Sequence, residues 1–396
     1  MLLIQSIIVY GLMIWVMTYF GNIAYKCQYP QGFGGIDIFA KKKVSFMSLL
    51  TKSYFIIPIL IFCFFSAVRY QVGVDCESYK KTFYSILQFG VGQRESTEIG
   101  FINLSKATIL FTSSHYLLFF ILAFIQISLL YYAQRKTTYT LKYFGLVLIL
   151  SSMYLSLMNG MRQYIAACTF VALLPFVLEK KKWGWFILGT YLATLMHKSA
   201  LLLIPFGVIA YLLQYRIPNR YIQIGIAIIC LILMDKIDIS VITNLYSQVG
   251  VEAGYSERDI EIYSNLELCT KSFGIRPLLL LSVYIITMWY SDKMKILFNS
   301  KIFNMQYNLF FIATCLYLLF YNNFTIGRLS YYFQIFTPMI LSSCLFYLNN
   351  SKIKIDKTAY RSIILLLILF FTYHLYSELQ AYPLEYSLYK FDLFRN

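Results

Sequence analysis

Charge is scarce in this sequence. Of its 396 residues only 13% are charged, 18 are acidic and three are histidine, whereas 59% are hydrophobic and the mean hydropathy is +0.64. A soluble core could not hide that much apolar surface, so a soluble globular chain is excluded. Eight cysteines occur, none in a C-x-x-C pair or at metal-ligand spacing, and no zinc site is read. Gly-Ser linkers, low-complexity tracts and internal repeats are absent, so residues 1–396 read as a single transmembrane domain. No positive residue precedes the first apolar run, Leu2 to Phe20, and no small-residue cleavage pattern follows it. It reads as a retained span and not a secretory signal.

What is present is a series of apolar runs, each roughly 14 to 20 residues and close to the length that crosses a bilayer. The spans are expected at 2–20, 53–68, 114–133, 143–158, 163–178, 183–196, 199–214, 221–234, 276–291, 305–321, 329–348 and 359–376. That is an all-α, polytopic architecture of about 12 spans (10–12). The loops 21–52, 134–142, 179–182, 215–220, 292–304 and 349–361 hold 20 Lys or Arg against four acids, Asp37, Glu179, Asp292 and Asp356, a net of +16. In the remaining segments 14 basic and 14 acidic residues cancel. The net charge of the chain therefore reports topology and not nucleic-acid binding. By the positive-inside rule the basic set is cytoplasmic, which puts both termini and the long loops 69–113 and 235–275 outside. Residues 183–196 are the shortest run, ~21 Å of helix against a ~30 Å core. Joining them to 199–214 would turn the basic loops near 295 and 355 outward, so two short spans are kept. Cys76 and Cys269 both fall in the long outer loops, either as a disulfide or as two free thiols.

Polar residues then gather at the outer ends of the spans: Arg69, Asp75, Glu98, Arg162, His197 with Lys198, and Arg328. Charge near hydrocarbon is costly, so such residues line a wet cavity or form structural pairs. Arg162 follows Asn159-Gly160-Met161 and precedes Gln163 at a helix start, where amides and a guanidinium suit a phosphate; the alternative is an Arg reaching lipid headgroups. Arg328, between Gly327 and Leu329-Ser330-Tyr331, offers the same two readings. His197, between two apolar runs, suits donation to phosphate or acceptance of a proton, or else packing. Arg69-Tyr70-Gln71-Val72-Gly73-Val74-Asp75, Tyr79 and Glu98-Ile99-Gly100-Phe101 supply a cation, two carboxylates and aromatics, a set suited to sugars; a Gly turn with an Arg69–Asp75 salt bridge is the competing reading.

At these residues the sequence resembles the EpsG family of bacterial polysaccharide membrane proteins, a branch of the Wzy-type O-antigen polymerases. The family's R-Y-x-V-G-x-D-x-x-x-Y, E-x-G-F, G-x-R-Q and A-x-x-x-H-K-S-A stretches read here as Arg69 to Asp75 with Tyr79, Glu98 to Phe101, Gly160 to Gln163, and Ala193 with His197 to Ala200. The likeness lies mostly within 60–205, with weaker agreement at Gly327-Arg328. Relatives often carry Pro where Ile99 stands. The resemblance implies a glycosyltransferase-C-like membrane architecture in the bacterial cytoplasmic (inner) membrane. It also implies an enzyme that joins undecaprenyl-diphosphate-linked oligosaccharides at the outer leaflet, with a flippase and a chain-length regulator as pathway partners.

In that chemistry the leaving diphosphate gathers negative charge, so Arg162, Arg328, Arg69 and His197 are expected to stabilise it without a metal or cofactor. Asp75 or Glu98, unranked between them, is the base for the attacking hydroxyl if one is needed, with His197 as the third choice. Arg162, His197, Asp75, Glu98 and Arg328 form the expected catalytic set; Arg69, Tyr70, Tyr79, Gln163, Lys198 and Tyr331 are the expected substrate contacts. The outer loops lack a D-x-D motif, and the acidic loop 235–275, with Glu252, Tyr255, Glu257, Asp259 and Glu261, suits the acceptor sugar or is simply solvated. A ligase or single-addition transferase would need the same cations. A lipid-oligosaccharide flippase would carry charge through the midplane and paired halves.

Overall fold

The computed structural model describes residues 2–30, 47, 51–94, 97–179, 182–234, 236, 273–321, 324–380 and 386–392. Its first elements are α1 (Leu2–Gln28), α2 (Ser53–Ala67), α3 (Cys76–Phe89), α4 (Ile99–Ile109), α5 (Tyr116–Gln134), α6 (Leu141–Leu150), α7 (Met153–Asn159), α8 (Met161–Val177) and α9 (Trp183–Thr194). A 3-10 turn, Lys198–Leu202, leads to α10 (Leu203–Leu212), α11 (Arg220–Ile232), α12 (Ile275–Trp289) and α13 (Ser291–Phe298). The last four are α14 (Lys301–Leu319), α15 (Phe324–Gln334), α16 (Thr337–Asn350) and α17 (Lys354–Gln380). Among the described residues there is no strand, only an antiparallel bridge between Arg69 and Phe391.

The physical reason for helices is the solvent. In hydrocarbon every backbone amide needs a partner within its own segment, and long runs of Leu, Ile and Phe bury the rest. On α1, Tyr10, Met13 and Met17 are fully buried while Ile4, Ile8, Leu12 and Trp15 stand exposed. Met17 packs on Gly145, so α1 and α6 cross closely. An exposed stripe of that kind suits lipid and not water.

Every apolar run carries a helix. By length and composition four helices can cross a membrane, α1, α5, α14 and α17, or six if the bent pairs α6–α7 and α15–α16 each make one span; five further apolar helices are shorter. The run 143–158 is broken at Ser151-Ser152, where Ser152 has φ +59° and α6 meets α7 at 72°. The break brings Met158 and Asn159, at the end of α7, beneath the turn 69–75.

α9 and α10 fold back on each other as a hairpin, since Phe186 early in α9 lies against Gly207 in α10, with His197 at the tip between them. At one end of the bundle the Tyr389 N–H donates to Ser6 Oγ (2.7 Å) and the segment 386–392 meets the exit of α2, so the two ends of the described chain lie together. At other places the basic loops touch one another: Thr138 N–H donates to Gln28 Oε1 at 3.0 Å, Lys293 pairs with Asp356 at 3.4 Å, and Arg220 with Asp292 at 3.8 Å. Most of the acidic loop, with Glu252, Tyr255, Glu257, Asp259, Glu261 and Cys269, lies outside the described residues. Cys76 is a buried free thiol.

Candidate active site

The loop 69–113 is not irregular; it folds into α3 and α4. α3 is amphipathic, with Tyr79, Phe83 and Ile86 buried and Ser78, Lys81 and Tyr84 exposed. Glu98 precedes α4 in an extended conformation, and its side chain makes no cap hydrogen bond, which frees the carboxylate to point elsewhere.

What aims that carboxylate is Gly100. Its N–H donates to the Leu195 carbonyl at 2.8 Å, and a Cβ on it would stand 2.5 Å from that oxygen. Only glycine lets the start of α4 dock this closely on the tip of the α9–α10 hairpin. Glu98 Oε1 consequently lies 3.0 Å from His197 Nδ1, and Oε2 accepts a hydrogen bond from Arg162 Nη1. The Glu98 side chain is 5% exposed, those of His197 and Arg162 18% and 28%, so the acid is enclosed while its two partners reach the surface of the site. Burial by itself would raise the Glu98 carboxyl; the His197 hydrogen bond and the Arg162 charge outweigh it and hold the group below its ordinary value. The Arg162 guanidinium sits over the rings of Phe101 (5.3 Å) and Tyr79 (5.7 Å), which adds cation–π attraction and flattens its floor.

Asp75 enters from the other side. Its N–H donates to Asn159 Oδ1 at 2.8 Å, and Gly73, with φ +87°, lies so near Asn159 that a Cβ would be 3.2 Å from its Cα. Burial raises the Asp75 carboxyl, opposed by the charges of Arg328, Arg162 and Arg94. Gln163 Nε2 donates to the Arg328 carbonyl at 2.9 Å, which ties α8 to α15. Tyr331 stacks on Tyr164 with centroids 5.4 Å apart, and Ser199 shares a 2.7 Å hydroxyl contact with Tyr332, which joins the hairpin tip to α15. Lys198, half-buried, opens the 3-10 turn beside His197.

Arg69 is not drawn into this cluster. Its side chain is fully enclosed, Nε donates to the Val72 carbonyl (3.0 Å), Nη2 to the Met158 carbonyl (2.8 Å) and Nη1 to the Ser66 carbonyl. The guanidinium fastens the turn 69–75 to α7 from beneath, and its donors go to carbonyls in place of the expected phosphate or Asp75. Tyr70 lies under the segment 386–392, its N–H on the Lys390 carbonyl at 2.8 Å. Conversely, sequence reasoning passed over Asn159, Arg94 and the contact of Gly100 with Leu195. Asn159 carried a faint signal, an amide side chain directly before the Gly160-Met161-Arg162 helix start.

The arrangement joins an enclosed carboxylate to two groups that donate to anions, with a second carboxylate, its proton affinity raised by burial, opposite. A His197 that gives Nδ1–H to Glu98 leaves Nε2 for a substrate, as a donor when charged and an acceptor when neutral. Among the described residues no group of three or more His, Cys, Asp or Glu could hold a metal ion.

Long apolar helices with a polar site at their ends define an integral membrane protein. The chain belongs to the EpsG family, whose model matches residues 52–390. No curated protein and no solved structure matches it. Membership suggests a polysaccharide-polymerase-like role and is compatible with glycosyltransferase chemistry.

Proposed function

We propose that the chain is a polymerase that joins undecaprenyl-diphosphate-linked oligosaccharide repeat units into O-antigen, capsule or exopolysaccharide. It crosses the bacterial cytoplasmic membrane about twelve times, with its site and both termini on the periplasmic or outer face. The observation that carries this reading is the single carboxylate, Glu98, bonded at once by Arg162 and His197. The mutual contact of the basic loops supports the topology.

Breaking the bond from an anomeric carbon to diphosphate puts positive charge on the sugar and negative charge on the departing phosphate. Arg162, oriented by Glu98 and by the rings of Phe101 and Tyr79, grips that phosphate, and His197 donates from Nε2. Arg328 supplies further positive charge. One such preorganised donor is worth roughly 3 kcal/mol in the transition state. Of the two carboxylates Asp75 is the better base. Both oxygens of Glu98 are engaged and its affinity for a proton is lowered, whereas burial raises that of Asp75. Donor and acceptor are both lipid-linked, and a flippase and a chain-length regulator of the same pathway are the natural partners; nucleic acid is not one.

The test is glycan length. Arg162→Ala and His197→Ala are expected to leave the chain in the membrane at normal abundance and to remove long glycans, and Arg162→Lys to be nearly as impaired because an ammonium lacks the forked grip. Wild-type chain length in either alanine variant would remove that residue from the site, and a single added increment in place of a ladder would refute the polymerase.

A further inference from the structure

The segment 386–392 has no part in the chemistry above, yet it holds the turn that carries Asp75. The Gly73 N–H donates to the Tyr386 carbonyl at 2.9 Å, the Tyr70 N–H to the Lys390 carbonyl at 2.8 Å, and the Asp392 N–H to the Val68 carbonyl at 2.9 Å. These bonds flank the Arg69–Phe391 bridge, so the segment runs antiparallel to 68–73 as one short ribbon.

On its other side the ribbon is bolted to α1 and α2. Tyr389 is fully buried; its hydroxyl donates to the Phe65 carbonyl and its N–H to Ser6 Oγ, both at 2.7 Å. Tyr10 donates to the Ser387 carbonyl at 2.8 Å, and the Ser387 N–H donates to Glu378 Oε2 at 3.0 Å. Phe391 and Tyr389 pack ring to ring at 4.9 Å.

Asp392 closes the ribbon. Its Oδ2 is 3.1 Å from Lys80 Nζ on α3 and 3.3 Å from His115 Nε2 at the start of α5, and the His115 Nδ1 lies 3.2 Å from the Tyr84 hydroxyl. The Asp392 side chain is 11% exposed, so water screens this pairing poorly. The elements so joined are those that present the site: the turn 68–75 bears Asp75, and α3 bears Tyr79, one residue before Lys80, beneath Arg162.

We propose that the segment 386–392 is a strap that holds Asp75 and Tyr79 in working position against Arg162, with Asp392 as its positioning residue. Gly73 is pinned between the strap on one side and Asn159 on the other, so release of the strap frees the turn on the side away from α7. Arg69 still anchors the turn from below. Because Asp75 matters to catalysis only if the site works as proposed above, the strap's catalytic role stands on that reading, while its geometry does not.

The experiment compares the full chain with Asp392→Asn, Asp392→Glu and a chain ending at Gln380, by hydrogen exchange of the peptides spanning 68–79 in detergent and by elongation of a lipid-diphosphate-linked repeat unit, with Arg162→Ala alongside. In Asp392→Asn and the shortened chain the amides of Tyr70 and Gly73 are expected to exchange about tenfold faster or more, as for a local opening set free. Elongation is expected to fall by about a hundredfold, the cost of an ~1 Å misplacement, through kcat with KM little changed. Asp392→Glu should recover most of both. Should Asp392→Asn protein fail to accumulate, Lys80→Gln cuts the same ion pair and must show the same two effects. Unchanged exchange overturns the strap, and faster exchange with full elongation overturns its positioning role. No elongation by the unaltered full chain would instead overturn the polymerase reading, and full elongation by Arg162→Ala would overturn the placement of its site; either leaves the exchange result to decide the strap.

Discussion

An alanine at position 100 is the smallest change that should pull the site apart. The added Cβ would stand 2.5 Å from the Leu195 carbonyl oxygen and 2.7 Å from its carbon, both backbone atoms that cannot rotate away. Ordinary contact needs close to 3.5 Å, so α4 must lift from the hairpin tip by about 1 Å. The 2.8 Å hydrogen bond from the Gly100 N–H stretches with it, and Glu98, two residues before, is carried away from His197. Overpacking of this kind costs about 1–3 kcal/mol of stability, within what a bundle of this size tolerates. The chemistry suffers more, because an ~1 Å displacement in a preorganised site costs on the order of a hundredfold in rate. Gly184→Ala is the matched control: it lies on α9 with nothing within 4 Å of the added methyl, and it should be neutral. The assay is glycan length and elongation rate at matched membrane abundance. Wild-type elongation by Gly100→Ala protein would refute the claim that the Gly100–Leu195 contact aims Glu98.

Arg69→Ala should act on stability first: three carbonyls lose their donor, a loss of about 3 kcal/mol or more, seen as a lowered melting temperature and reduced abundance, and elongation should fall only as the turn that bears Asp75 loosens with it. Normal melting with lost elongation would move that guanidinium into the reaction. The pH dependence should separate the two acids. Elongation that needs ionised Asp75 should fall as the pH drops through a value that burial raises above the ordinary one for aspartate, while Glu98, held low, is still charged. Stability follows the opposite signs: the raised Asp75 value makes the fold lose stability as pH rises through that window, and the contribution of the Glu98 pairs is lost only as pH falls through its lowered value. An acid limb at or below the ordinary carboxylate range would count against Asp75 as base.

The helices were legible because a hydrocarbon solvent demands long apolar runs, and those survive in a single sequence. The tip at His197 was legible too, since charge and polarity interrupt two apolar runs there. Less visible was the convergence of Glu98, Arg162 and His197, which are 64 and 99 positions apart along the pairs that bond and meet only through folding. Arg69 marks the limit most clearly: beside Asp75 in the chain, a guanidinium facing substrate and one facing carbonyls have the same sequence. The break at Ser151-Ser152 lay inside an unbroken apolar run, and the ribbon pairing of 386–392 with 68–73 leaves no local pattern in either segment.

In the proposed mechanism Arg162, Glu98 and His197 handle the diphosphate of a lipid-linked glycan during repeat-unit transfer. Its most direct measurement is reconstitution of the purified full chain in liposomes with a lipid-diphosphate-linked repeat unit, the products being sized with time. A ladder of repeats that vanishes in Arg162→Ala and His197→Ala is the predicted result. A single added increment, or a ladder that both variants still make, would contradict it.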